Sequence, residues 1–182
     1  MLDKNFLTHF KQKTEERWCT IEINRDIYGF QFQAGTRWNP GLSAGEIETY
    51  QDAVKIRFPN DLKMFFATMN GTDLPTVNIY GDSGTPAQKG VGVYSYPRDL
   101  EIVKMRIADV NNSRQEIRQM LAEQGCKVAY GFQLMPIYGH RYVLCTSDLA
   151  SSSVLSIHGN DVIVYEDSLR EYLTKEFLGN SH

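Results

Sequence analysis

Trp38-Asn39-Pro40-Gly41-Leu42-Ser43-Ala44-Gly45-Glu46-Ile47, then Phe58-Pro59-Asn60-Asp61-Leu62, then Met69-Asn70-Gly71-Thr72: these three blocks decide how the chain is read. Ser43 and Glu46 stand in S-x-x-E spacing, a capping box that satisfies two amides left orphaned at a helix start. Ile47, Tyr50 and Val54 follow as one apolar stripe at i, i+3, i+7. Pro59 stops that helix and opens a second, with Asn60 or Asp61 as the predicted N-cap. Leu62, Phe65, Phe66 and Met69 give the second helix its buried face. Asn70-Gly71 is predicted to end it, since glycine takes the left-handed conformation without steric cost.

Working outward, Leu2 to Trp18 reads as a helix with Phe6, Leu7 and Phe10 inward. Ile21 and Ile23, then Tyr28, Phe30 and Phe32, alternate with polar residues. That period predicts a hairpin turning at Asn24-Arg25-Asp26. Thr76 to Tyr80 is a short strand, and Gly81 to Gly92 is predicted to be a mobile surface loop. No phosphate-binding spacing occurs within it. Pro97 to Val110 reads as a helix. Ser113 and Glu116 form a second capping-box pattern before Ile117, Met120 and Leu121. From Phe132 onward a meander is predicted, with turns at Gly139-His140 and Gly159-Asn160. Glycine in the first turn position suits a type II′ hairpin. Asp167 or Ser168 caps a last helix that buries Leu169, Tyr172, Leu173 and Phe177. The expected fold class is α+β, an antiparallel sheet of about 4–6 strands flanked by helices, with the hairpin meander in the C-terminal half. The expected organisation is one domain over 1–182.

The composition excludes some functions. A net charge of −3 argues against a general nucleic-acid binder, which would carry a basic stripe and a pI above ~9. No run approaches the ~20 apolar residues of a membrane span, so no membrane partner is expected. Met1-Leu2-Asp3-Lys4-Asn5 has no apolar signal region. Cys19, Cys126 and Cys145 lack zinc spacing and read as reduced thiols of a cytoplasmic protein.

Residues that could carry chemistry have plain readings as well. Cys145 with His140 and Asp148 suggests a thiol hydrolase. However, His140 and Cys145 on one strand lie roughly 16 Å apart at ~3.3 Å per residue. His9, His140, His158 and His182 are scattered, so no metal and no cofactor is expected. His140 and His158 sit at two hairpin tips. If those tips lie together, they form a candidate contact surface.

Trp38, Gly41, Glu46, Pro59, Leu62, Asn70 and Gly71, in this order, resemble the opening signature of the SUKH superfamily, in particular its Smi/Knr branch. Met135 to Val143, with Pro136 and Gly139, is similar to that branch's central hairpin. The similarity covers about 38–178. It leaves 1–37 as an N-terminal extension and the helices at about 97–124 as an insertion. The resemblance implies a non-enzymatic domain that binds proteins. In bacteria it implies an immunity protein that neutralises a cognate toxin, often a nuclease. The anchors expected on that reading are Glu46, Glu48 and Asp52 on the helix that opens at Ser43, His140 and Arg141 at the hairpin tip, and Glu166 and Asp167. A homodimer is the other assembly left open. A regulatory scaffold like the fungal members is the alternative role, and a Cys-dependent hydrolase a more distant one.

Overall fold

A computed structural model describes residues 2–80, 85–148 and 152–179. The fold is α+β, with six helices and three antiparallel sheets among the described residues. Helix α1 (Lys4–Cys19) is capped by Asp3, whose side chain accepts from the Phe6 amide. The strands that follow are β1 (Gly29–Gln31) and β2 (Trp38–Pro40), then helices α2 (Ala44–Val54) and α3 (Asn60–Thr68). Next come β3 (Met69–Thr72), β4 (Thr76–Tyr80) and β5 (Thr85–Gly90), then α4 (Leu100–Asn112) and α5 (Arg114–Glu123). The C-terminal meander is β6 (Gln133–Tyr138), β7 (Arg141–Cys145), β8 (Val154–His158) and β9 (Asp161–Glu166), paired in sequence order. Helix α6 (Leu169–Leu173) runs into a π-helical turn over Thr174–Leu178, and Gly179 at φ +68° ends it.

The capping box at the start of α2 forms as its spacing requires. Ser43 accepts from the Glu46 amide at 3.3 Å, and Glu46 Oε2 accepts from the Ser43 amide at 2.8 Å. Both predicted hairpin turns carry positive φ at their first residue alone, Gly139 at +54° and Gly159 at +58°, as type II′ requires.

Five local expectations fail, each for a visible reason. No strand forms over 19–24. The Gln31 side chain bonds the Asn24 amide (2.9 Å) and the Asn24 carbonyl (2.7 Å), taking the place of a ladder. The backbone of β1 is left to pair with β4 instead. The Asn60 or Asp61 cap is replaced by Pro59, which stands in extended conformation at the N-cap with Asn60 already helical. Helix α3 stops at Thr68, so Met69 and Asn70-Gly71 belong to β3, opposite β2. Gly71 is needed there because an added Cβ would meet the Val93 carbonyl at 2.5 Å. Asn70 ties the same crossing, donating to the Tyr96 carbonyl and accepting from its amide. The predicted loop at Gly81–Gly92 contains β5, whose backbone pairs with β4; its residues 81–84 lie outside the described residues. The Ser113 cap does not form, because Ser113 also closes α4 and keeps φ −111°, ψ 21° rather than the extended conformation of an N-cap.

Two cores share the meander. On one face Met135, Ile137, Val143, Cys145 and Val154 pack with α1, α2, α3 and the C-terminal helical run. On the other face Leu134, Tyr142, Leu144, Leu155, Ile157 and Val162 pack under Val110, Ile117 and Leu121. The helix pair α4–α5 therefore covers the second face of the sheet. This explains why β6, β7 and β8 are almost continuously buried instead of alternating. At the centre of the first core Trp38 meets Phe10, Trp18, Phe65 and Phe177, with ring centroids 5.3–6.0 Å apart.

Candidate partner interface

The sequence-derived anchors fall into three groups. The first lies on α2. Glu46 is engaged by the cap: the Ser43 amide and hydroxyl hold its carboxyl below the usual range. Glu48 and Asp52 remain exposed and share Arg57, at 3.5 and 3.3 Å, while Lys63 stands 3.7 Å from Glu48. Exposed pairs of this kind contribute little to stability, on the order of 0–1 kcal/mol. Glu48 and Asp52 can therefore exchange partners at small cost.

The second group surrounds Arg141, and it is structural in character. The Arg141 side chain is 13% exposed and that of Glu176 is 19% exposed. Its Nε lies 3.4 Å from Glu176 Oε2, its Nη1 donates to Ser156 Oγ at 2.7 Å, and its Cζ stands 3.9 Å from the Tyr165 ring centroid. Lys175 stacks on the same tyrosine and is paired with Glu166. Asp167 is exposed, and its carbonyl accepts from Ser153 Oγ. Arg141 and Glu166 thus spend their charge within the fold, while Asp167 keeps its carboxylate at the surface.

The third group is the pair of hairpin tips. His140 and His158 lie together with ring centroids 5.6 Å apart. Partial burial, and then the neighbouring Arg141, His158 and Arg106, keep the His140 imidazole below its ordinary value. Its neutral form is favoured by these neighbours.

Cys145 is buried, and burial pushes its thiol up to about 12. His140 and Cys145 lie near opposite ends of β7, as the spacing argument required. A thiol with that pKa supplies almost no thiolate at neutral pH, which is poor equipment for a nucleophile. Cys19 is exposed. A thiol reagent should therefore label Cys19 at once and reach Cys145 only on unfolding, a difference read by mass spectrometry with and without denaturant. Labelling of native Cys145 as fast as Cys19 would overturn this placement. No group of three His, Cys, Asp or Glu residues among the described residues is arranged to hold a metal ion. No described helix is long and apolar enough to cross a membrane.

The structure adds a surface that sequence alternation had placed half inside a hairpin. Ile27, Tyr28 and Phe30 are 57%, 60% and 50% exposed. Phe30 lies in β1, at the edge of the β1–β4–β5 sheet, and Ile27 and Tyr28 lead into it. Phe30 lies across Gly90, where an added Cβ would come within 2.3 Å of its ring. The alternation of Tyr28, Phe30 and Phe32 carried the signal of a strand but not of which side chains find cover: of the three, only Phe32 does, stacked on Trp18 at 4.5 Å.

Fold and surface together describe an antiparallel α+β protein with a twice-covered meander and an exposed apolar edge. No family model matches the chain, and no curated protein matches it.

Proposed function

We propose that this chain is a non-enzymatic protein-binding domain of the SUKH type that serves in the cytoplasm as an immunity protein, neutralising a cognate toxin by stoichiometric binding. The observation that carries the reading is the exposed apolar edge of Ile27, Tyr28 and Phe30. Large apolar side chains clustered at the surface are a usual mark of a protein-contact site. Tyrosine is also among the residue types that dominate binding energy at interfaces. Glu48, Asp52 and Asp167 supply exposed carboxylates that suit a basic partner such as a nuclease. The resemblance in Trp38–Thr72 and Met135–Val143 supports the same role.

The test is co-expression with a toxin domain encoded beside this chain, followed by titration of the toxin's activity. Inhibition should saturate at one equivalent. Tyr28→Ala combined with Phe30→Ala should weaken it at least about tenfold, since loss of interface aromatics commonly costs ~2 kcal/mol or more. Protection at far below one equivalent would indicate an enzyme acting on the toxin. Protection against no adjacent toxin would favour the regulatory scaffold.

A further inference from the structure

A cavity of about 300 Å³ opens between the end of α4 and the β8–β9 turn, lined among others by Arg106, Asp109, Ser113, Tyr142 and Asn160. Its size is at the lower end of small-ligand sites, ~300–1,000 Å³. Arg106 is half-buried on the flank of α4, next to the inward-facing Val103 and Ile107. It stands near the Tyr94 phenol, whose hydroxyl donates to the Gly139 carbonyl at 3.2 Å. The Arg106 Nε–H is buried and has no hydrogen-bond partner. A buried donor left unmade carries a desolvation cost, part of which a bound acceptor would recover.

The geometry points to a carboxylate-binding site in this cavity, with Arg106 as its cation. A guanidinium offers planar paired donors that match a carboxylate two to two, and its Nε–H belongs to such an edge. Val110, Ile117 and Ile157 form apolar walls beside it and suit a short aliphatic stem. Asp109 at the rim opposes a second negative charge, which selects a monoanionic carboxylate over a phosphate dianion. The ligand class is therefore a carboxylate on a short apolar stem, either a free small acid or an acidic side chain presented by a protein. The site stands independently of the immunity reading.

The experiment is a titration of the whole chain with N-acetylglutamate, the blocked peptide acetyl-Gly-Glu-Gly-amide, and inorganic phosphate, followed by the amide NMR shifts of Gly159 and Asn160. Saturable shifts with either carboxylate probe, and weaker ones with phosphate, are expected. Tighter binding of the peptide assigns the site to a protein side chain, and tighter binding of N-acetylglutamate assigns it to a free acid. Arg106→Met should weaken binding about tenfold or more, as loss of a hydrogen bond to a charged group does. Asp109→Asn, which leaves the Arg106 side chain in place, should tighten it. Absence of saturable shifts, phosphate binding tighter than either carboxylate, or Asp109→Asn binding no tighter than the unaltered chain would overturn the assignment.

Discussion

Replacing Trp38 with alanine is expected to remove about 3–5 kcal/mol of stability, the usual cost of truncating a fully packed large aromatic. Trp38 is 4% exposed and its ring touches four other aromatic rings drawn from α1, α3 and the π-helical turn. The cavity left behind would therefore be shared by elements distant in sequence, and none can collapse into it alone. The indole also donates to Thr14 Oγ1 at 2.7 Å, and that buried hydroxyl donates in turn to the Phe10 carbonyl. Trp38→Phe keeps most ring contacts and gives up this bond, so it should cost less, about 1–2 kcal/mol. Phe65→Ala, which removes the edge-on partner of Trp38 at 6.0 Å, should fall in the same range as Trp38→Ala. Urea unfolding of the three variants measures all of this. A loss under about 1 kcal/mol for Trp38→Ala, well below the range for a packed aromatic, would mean the side chain is misplaced. A chain of this size has on the order of 5–15 kcal/mol to lose, so Trp38→Ala should still fold, with a midpoint shifted far enough to read clearly.

Elements specified by local chemistry were legible in the sequence. The Ser43–Glu46 box needs only four residues to form, and both type II′ turns need only a glycine at the right place. The meander was legible because each of its strands pairs with its neighbour in sequence. The Asn60 and Ser113 caps failed locally, to the neighbouring Pro59 and to the end of α4, but the failures in strand pairing and at the end of α3 required distant partners. The backbone of β1 pairs with β4, some 50 residues on, and nothing in Tyr28–Phe32 says that its ladder is filled from there rather than from 19–24. The end of α3 is also set at long range. Met69–Thr72 gives up helical bonding because Trp38–Pro40 offers a strand and the segment around Val93–Tyr96 closes over Gly71 and Asn70.

The candidate interface was legible in part for the same reason. Exposed carboxylates at Glu48 and Asp52 follow from their positions on the polar face of α2. Sequence alone could place Arg141 beside a hairpin turn but could not show that Glu176, 35 positions later, comes back to pair with it. Nor could it show that Ile27 and Tyr28 would remain outside the core. Period-two alternation reports which residues share a face, and burial of that face depends on whether another element arrives to cover it.

Arg141 was expected at the hairpin tip as a contact residue, and its environment predicts a different result. Arg141→Ala should lower stability by about 3 kcal/mol, in the range found when one partner of a buried pair is removed. It would leave the Glu176 carboxylate, 19% exposed, without its cation and beside the Tyr138 and Tyr172 phenols, whose anions are disfavoured by burial and then by Glu176. It would also strip Tyr165 of a guanidinium 3.9 Å from its ring centroid and Ser156 of its donor. Because the cost comes largely from the stranded carboxylate, adding Glu176→Gln should recover part of it. A coupling of about 1–2 kcal/mol between the two sites is the expected size for groups in direct contact. Urea unfolding of the two single variants and the double variant closes the cycle. If Arg141→Ala unfolds at the same denaturant concentration as the unaltered chain, the pair with Glu176 is idle and Arg141 regains its claim as a partner contact. If the single variant is destabilised and Glu176→Gln recovers nothing, the loss belongs to the Tyr165 and Ser156 contacts alone and the ion pair is incidental.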